Sequence, residues 1–184
     1  MKFTRVQTLG DGSCWFHSIL TLTSLPYRTS TQSVKAKYAQ ILRATLADKI
    51  SLQHWDRYGL IVVQEEVVKT LPQQSKILDK LFDGSSTISE CIRKCSDESI
   101  INTINTVSER LYKYYIQLLR NTAVWMDWTL ISLIIDFLPY NIKYFYTYKG
   151  DIQEYKTLSY TNNAYKTLYI YWVKPVHFEA LVEN

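Results

Sequence analysis

The sequence has 184 residues, of which 47% are hydrophobic, and its formal net charge is +4. This length predicts one hydrophobic core and therefore a single domain over residues 1–184. The basic residues are spread along the chain, which argues against a nucleic-acid-binding protein, and the apolar runs are too short to span a membrane. The three cysteines and the absence of a signal-peptide pattern favour a reducing, cytoplasmic setting.

Helical spacing of apolar residues dominates from residue 14 to about residue 137. Ser13 is the expected N-cap of the first helix, which is expected to end at Leu25-Pro26. Ser33 is the expected N-cap of the second helix. The apolar face of this second helix is predicted to consist of Val34, Tyr38, Ile41, Leu42 and Leu46.

Several further helices are predicted before residue 137, separated by glycine, serine and polar residues. The expected breaks between them are Gly59, residues 83–87, Cys95-Ser96 and Asn121-Thr122. A short helix is expected to start at Pro72. The last helix is expected to have Asp127 as its N-cap and to end before Pro139.

From Asn141 the apolar period changes to two, which is typical of β-strands. The segment NIKYFYTYK predicts one strand, and residues 150–166 are expected to form a loop with a turn at Asn162-Asn163. The segments TLYIYWV and VHFEALV predict two strands that pair antiparallel, because the connection at Lys174-Pro175 is too tight for a crossover. The predicted class is α+β, with helices packed around a small, mostly antiparallel sheet.

The segment GDGSCWFHSI places Cys14 in the first turn of the first helix. The helix dipole and the unpaired N–H groups of that turn favour the thiolate, which is the nucleophilic form of cysteine. Gly10 and Gly12 permit backbone conformations that a side chain would forbid, and they let N–H groups turn inward as an oxyanion hole. The alternative is that Cys14 is a small buried hydrophobic residue, which is common for free cysteine.

A cysteine nucleophile needs a base, and the chain has three histidines. His17 lies three residues after Cys14 on the same helix, so little room is left between the two side chains for a substrate. His54, near a predicted helix start, is expected to be a surface or capping residue. The remaining candidate for the base is His177.

His177 lies in VHFEALV, where strand alternation puts Val176, Phe178, Ala180 and Val182 on one face. His177 and Glu179 share the other face, with their Cα atoms roughly 7 Å apart. Glu179 can therefore accept a hydrogen bond from the imidazole and hold its tautomer, as the third member of a catalytic triad does. The alternative is a solvated strand face with an ordinary histidine and glutamate.

Together these segments resemble the ovarian-tumour (OTU) family of cysteine proteases, which are deubiquitinases. That family has a D-G-x-C motif followed by an aromatic or apolar pair, which corresponds to residues 11–16 here. A tryptophan motif leading into a helix corresponds to Trp125-Met126-Asp127, and a terminal H-aromatic-N/D motif corresponds to His177-Phe178-Glu179. The likeness covers residues 8–182. It implies a papain-like OTU fold, with the catalytic cysteine at a helix N-terminus and the histidine on a C-terminal strand.

The resemblance also implies roles for individual residues. Cys14 would be the nucleophile, His177 the general base and Asp11 the residue that shapes the oxyanion loop. The residues expected to contact substrate are Gly12, Ser13, Trp125 and Asp127. Trp125 would line the channel for the glycine tail, although a core tryptophan is an alternative.

Two positions depart from the family pattern. Glu179 replaces the usual Asn or Asp, so its extra methylene must be accommodated beside His177. Met126 replaces the first glycine after the tryptophan and changes the wall beside the cleft. Both departures are expected to affect the catalytic efficiency more than the type of reaction.

The implied activity is hydrolysis of the isopeptide bond after the C-terminal glycine of ubiquitin, by a monomer that needs no metal or cofactor. Polyubiquitin chains and ubiquitin-like modifiers are further expected partners, and nucleic acid and membranes are not. The composition suits a viral or bacterial protein acting in a host cytoplasm. Two alternatives remain: an OTU-fold module that binds ubiquitin or a partner without cleavage, and another papain-like cysteine hydrolase.

Two further patterns have ordinary structural explanations. Cys91 and Cys95 share a helix face, but the chain offers few other ligands, so structural thiols are expected rather than a zinc site. Tyr144, Tyr146 and Tyr148 alternate on one strand face, where a packed sheet surface is expected rather than a stacking platform for single-stranded nucleic acid.

Overall fold

The computed structural model describes residues 2–158, 165–173 and 177–184. These residues form two compact units. One unit contains the residues up to Ala47 together with those from Leu119 onward, and the other runs from Asp48 to Leu118. The single domain over 1–184 stays a prediction.

The first unit is built on a sheet to which the described residues contribute five strands, in the order β1-β5-β4-β2-β3. Their bounds are β1 (Phe3–Val6), β2 (Tyr140–Tyr148), β3 (Asp151–Leu158), β4 (Lys166–Val173) and β5 (His177–Glu183). Neighbours pair antiparallel except β2 and β4, which are parallel. The predicted α+β class with a mostly antiparallel sheet is therefore confirmed.

The last two strands pair as predicted, with Val173 opposite His177. The expected loop over residues 150–166 is wrong at Asp151–Leu158, which form β3, and at Lys166, which begins β4. A two-residue turn makes this possible: Lys149 and Gly150 have φ angles of 51° and 92°. Positive φ at both positions is the geometry that suits the twist of a tight hairpin.

The structure contains one strand that the sequence did not predict. β1 was not predicted, because four residues near the amino terminus carry too little alternation to indicate a strand. It pairs antiparallel with β5 and places Arg5 opposite Leu181. The turn expected at Asn162-Asn163 lies outside the described residues, as do Lys174, Pro175 and Val176.

Four helices belong to the first unit: α1 (Cys14–Thr23), α2 (Leu25–Arg28), α3 (Gln32–Ala47) and α9 (Trp128–Ser132). Residues 14–19 of α1 are all buried, and α1 packs against β5. The indole Nε1 of Trp15 donates to the hydroxyl of Tyr144 over 3.0 Å, which ties α1 to β2. The nucleophile candidate therefore starts the most deeply buried helix of this unit.

The buried face of α3 differs from the predicted one. Val34 and Ile41 are exposed, and the buried residues of α3 are Ala39, Arg43, Leu46 and Ala47. The guanidinium of Arg43, a residue outside the predicted apolar face, is buried because it donates to the backbone carbonyls of Gly12, Leu119 and Val124. The helix also begins one residue before Ser33, which is therefore not its N-cap.

The segment after Trp125 confirms one expectation and corrects another. Asp127 caps α9 as predicted, its Oδ1 accepting the Leu130 N–H over 2.8 Å. The helix ends at Ser132, however, and only a single 3-10 turn at Ile135–Phe137 precedes Pro139. Most residues of TLISLIIDFL are Thr, Ser, Ile, Asp or Phe, which have low intrinsic helix propensity, so apolar spacing alone overestimated the length of this helix.

The second unit is helical in its described residues. Its helices are α4 (Leu52–Tyr58), α5 (Leu60–Thr70), α6 (Ser75–Asp83), α7 (Ile88–Lys94) and the part of α8 (Glu98–Arg120) up to Leu118. The breaks predicted at Gly59, Cys95-Ser96 and, at the end of α8, Asn121-Thr122 are confirmed. Across the parts of the chain that are described, no helix combines the length and apolarity needed to cross a membrane.

Candidate active site

The thiol of Cys14 lies against the start of β5. Cys14 is the first residue of α1 and is completely buried. The backbone N–H of Phe178, the residue directly after His177, lies near enough to the sulfur to lower the pKa of the thiol. The fold thus places a helix N-terminal cysteine beside the backbone of the strand that carries His177.

Burial dominates the ionisation of this thiol. It raises the pKa of Cys14 to about 11, and the nearby Asp11 carboxylate acts in the same direction. The backbone N–H groups of Phe178 and Trp15 lower the pKa but do not outweigh burial. The expectation of a resting thiolate is therefore wrong, because desolvation exceeds the effect of the helix N-terminus.

This pKa predicts a loss of stability at alkaline pH. Between pH 9.0, the ordinary value, and about 11, the folded thiol keeps a proton that the unfolded chain releases. Stability therefore falls as the pH rises through this window, by about 3 kcal/mol for this one group. Urea unfolding at pH 8 and pH 11 should show a smaller alkaline loss in Cys14→Ala than in wild type. Cys95→Ala, at a partly exposed thiol, is the control, and equal losses in all three proteins would contradict the prediction.

Asp11 organises the turn that precedes Cys14. Its Oδ1 accepts the Ser13 N–H over 2.8 Å, and its carbonyl oxygen accepts the Cys14 N–H over 3.2 Å. Asp11 therefore shapes the loop, but the N–H groups of Ser13 and Cys14 are engaged within it. The oxyanion hole expected from these N–H groups is not open in this structure. Ser13 occupies the N-cap position, and its side chain does not cap the helix.

The imidazole of His17 contacts the carboxylate of Asp11, a contact that the sequence did not predict. The imidazole is fully buried, with Nε2 3.1 Å from Asp11 Oδ2 and Nδ1 2.8 Å from the Tyr27 hydroxyl. Because a carboxylate only accepts, the hydrogen-bond pattern assigns the ring proton to Nε2 and makes Nδ1 the acceptor from Tyr27. Both nitrogens are therefore occupied, which fits the expectation that His17 is not the base.

Gly12 allows a close approach between two loops. A Cβ at this position would lie 2.4 Å from the Thr122 carbonyl oxygen and 2.7 Å from that of Val124. At Gly10 a Cβ would meet nothing within 4 Å, and neither glycine has a positive φ. The expected conformational role of both glycines is thus wrong: only Gly12 is needed, and for space.

Arg43 bridges the same two loops from inside the unit. Its Nη1 donates to the carbonyl oxygens of Gly12 and Val124 over 2.8 and 3.0 Å, and its Nε donates to that of Leu119 over 2.6 Å. Burial lowers the pKa of the guanidinium to about 10, so it remains charged at neutral pH. One side chain therefore holds the turn before Cys14 to the segment that leads to Trp125.

Trp125 flanks His177. The two ring centroids are 6.4 Å apart in an edge-to-face arrangement, and Trp125 is 38% exposed. The alternative of a core tryptophan is therefore wrong, whereas Met126 is buried. The carboxylate of Asp127 is used as the N-cap of α9, so the substrate contact expected of it stays a prediction.

Glu179 faces His177 but is held by Arg5. Its Oε1 lies 3.8 Å from His177 Nε2, longer than a hydrogen bond. Its Oε2 accepts from Nη2 and Nε of Arg5 over 2.7 and 2.8 Å. Glu179 is 7% exposed, so the alternative that His177 and Glu179 lie on a solvated strand face is wrong for Glu179. The expectation that Val182 faces the core is also wrong, because Val182 is 41% exposed.

The cysteines of the second unit form no metal site with other side chains. Cys91 and Cys95 are both free thiols. Within the described ranges, no group of three or more His, Cys, Asp or Glu side chains is arranged to hold a metal ion.

Comparisons with known proteins identify the fold. No protein-family model matches the sequence, and no curated protein matches it. The structure is similar to the OTU domain of OTUD1, with a TM-score of 0.50 and 12% identity over 98% of this chain and 86% of that chain. It is also similar, with a TM-score of 0.45 and 14% identity over 98% of this chain and 69% of the other, to an ovarian tumor (OTU) domain in complex with ubiquitin. The predicted papain-like OTU fold is thus confirmed.

Proposed function

We propose that this chain of OTU fold is a thiol-dependent deubiquitinase that cleaves the isopeptide bond after the C-terminal glycine of ubiquitin. The observation that carries the proposal is the packing of α1 against β5, in which the Phe178 N–H lies near enough to the Cys14 thiol to lower its pKa and so sets the thiol beside the residue that follows His177. The ordered motifs around Cys14, Trp125 and His177 support the same conclusion. Polyubiquitin and ubiquitin-like modifiers are candidate substrates on the same grounds.

The reaction begins with a protonated thiol. His177 Nε2 faces Glu179, which leaves Nδ1 to accept the thiol proton as the sulfur attacks the glycine carbonyl carbon. The resulting imidazolium then gives this proton to the lysine amine, the C–N bond breaks and a thioester remains. Water, deprotonated by His177, attacks the thioester, and the products are the ubiquitin carboxylate and the free thiol of Cys14.

The oxyanion of each tetrahedral intermediate needs N–H donors. In the turn before the nucleophile, the Asp11 carbonyl holds the Cys14 N–H. A substrate oxyanion would replace this carbonyl as the acceptor, which requires Asp11 to rotate by a small amount while its carboxylate keeps the Ser13 N–H. The exposed face of Trp125 beside His177 would line the channel for the glycine tail.

The test is reaction with a ubiquitin whose C-terminus carries a cysteine-reactive electrophile, followed by intact mass. We expect one adduct in wild type, none in Cys14→Ala, and at least about 100-fold slower labelling in His177→Ala. Cys95→Ala is the matched control for loss of a thiol and should label as wild type. An adduct that persists in Cys14→Ala would contradict the assignment of the nucleophile.

A second candidate is a ubiquitin-binding module of the same fold that does not cleave. Two observations favour it: burial raises the pKa of Cys14 to about 11, and the N–H groups of Ser13 and Cys14 are engaged within the loop. Saturable binding of unmodified ubiquitin without an adduct would select this candidate. Neither adduct nor binding would favour another papain-like cysteine hydrolase, to be sought by peptide substrate profiling.

A further inference from the structure

The carboxylate of Glu179, which faces His177, has an arginine partner that lies outside the family motif. Both Nη2 and Nε of Arg5 donate to the same oxygen of Glu179, Oε2, over 2.7 and 2.8 Å. The other oxygen, Oε1, is the one directed at His177. The fork thus fixes the rotation of the carboxylate and leaves one acceptor facing the imidazole.

Arg5 is itself held in place. Its guanidinium lies 4.1 Å from the centroid of the Tyr171 ring, in cation–π geometry. Tyr171 is paired with Glu179 in the register of β4 and β5, and its hydroxyl hydrogen-bonds Thr147. Residues of β1, β4 and β2 therefore support the side chain of Glu179, which lies on β5 between β1 and β4.

This support explains how glutamate can occupy a position where the motif has Asn or Asp. The longer side chain has an extra torsion, and the fork from Arg5 removes that freedom. The pairing also balances the charge: the side chain of Glu179 is only 9% exposed while that of Arg5 is 45% exposed. A poorly solvated carboxylate without a counter-charge would favour the imidazolium form of its neighbour.

We propose that Arg5 is a positioning residue that acts through Glu179, directing Oε1 at His177 and balancing the carboxylate charge beside the imidazole. The inference rests on the proposed function. Within the described ranges, the titratable or charged side chains recorded at the pair are Arg5 from β1, which binds Glu179, and Tyr171 from β4, which lies under Arg5. The Cys14 thiol from α1 lies beside the backbone of the intervening Phe178.

The first readout does not use ubiquitin. The imidazole signal of His177 is followed by NMR against pH, and is assigned by its absence in His177→Ala. In Arg5→Ala we expect it to titrate about half to one pH unit higher than in wild type, since Glu179 is then unbalanced. Arg5→Lys keeps the charge and should restore most of the wild-type titration. The control is Thr4→Ala, made on the same strand as Arg5, which removes a hydroxyl that donates to Asn184 Oδ1.

The second readout is the rate of labelling by the ubiquitin electrophile. Arg5→Ala should label about 3- to 10-fold more slowly at pH 7. The acid limb of its labelling rate plotted against pH should move to higher pH. In a Glu179→Gln background, Arg5→Ala should add no further loss, because the residue through which it acts is already neutral. Arg5→Lys should recover the pH profile but not the full rate, since an ammonium cannot form the fork.

The outcomes separate the two proposals. Absence of labelling in wild type overturns the deubiquitinase function, while the titration of His177 still decides the role of Arg5. An unchanged His177 titration in Arg5→Ala, or an equal loss of rate with and without Glu179, overturns the positioning role. A variant that only lowered the melting temperature would not move the titration of His177, and its loss of labelling rate would not depend on Glu179.

Discussion

Arg43→Ala is expected to lower the free energy of unfolding by about 3 to 5 kcal/mol, the largest effect of any single substitution considered. The wild-type guanidinium is buried and satisfies the carbonyl oxygens of Gly12, Leu119 and Val124. Alanine would leave these acceptors without this donor and open a cavity the size of the side chain. Urea unfolding followed by far-UV circular dichroism measures the change.

The same substitution should also weaken the site. Arg43 joins the turn before Cys14 to the segment leading to Trp125, so its loss allows both segments to move. The rate of labelling by the ubiquitin electrophile should therefore fall by at least about 10-fold. Arg43→Lys retains the charge, but one ammonium cannot reach all three carbonyls, so an intermediate loss is expected. Arg93→Ala, at a side chain 75% exposed, should change stability by less than ~0.5 kcal/mol. Equal stability of Arg43→Ala and Arg93→Ala would contradict the bridging role.

Gly12→Ala is expected to destabilise the protein by roughly 3 kcal/mol, because overpacking against fixed atoms forces the backbone to move. The new Cβ would lie 2.4 Å from the carbonyl oxygen of Thr122, an atom that cannot move away by changing rotamer. The displaced turn carries Asp11 and the Cys14 N–H, so labelling should slow by more than about 10-fold. Thermal unfolding and the labelling rate measure the two effects.

Gly10→Ala is the matched control, made two residues away in the same loop. A Cβ there meets nothing within 4 Å, so the free energy of unfolding should change by less than ~0.5 kcal/mol. If both variants were equally destabilised, the loss would come from a cost of any side chain in this loop and not from the contact between Gly12 and the loop at residues 122–124. If neither variant changed the free energy of unfolding, the close approach of Gly12 to the loop at residues 122–124 would be wrong.

Local patterns in the sequence were sufficient for much of the fold. Apolar period separated the helical part from the strands, and the short connection at Lys174-Pro175 correctly predicted an antiparallel pair. Asp127 was identified as an N-cap because capping depends only on residues three apart. The motif around Cys14 predicted a helix start, which the structure places at that residue.

What the sequence by itself determined is thus the order and type of most elements, the helix start at Cys14 and the placement of His177 beside Glu179 on one strand. The tertiary structure alone decided that burial outweighs the helix N-terminus at Cys14, because desolvation depends on distant residues packed around the thiol. It also decided the partners Arg43 and Arg5, which meet their loop and carboxylate across many intervening residues. Periodicity assigns a charged residue to the solvent side, and only long-range hydrogen bonds can reverse that assignment.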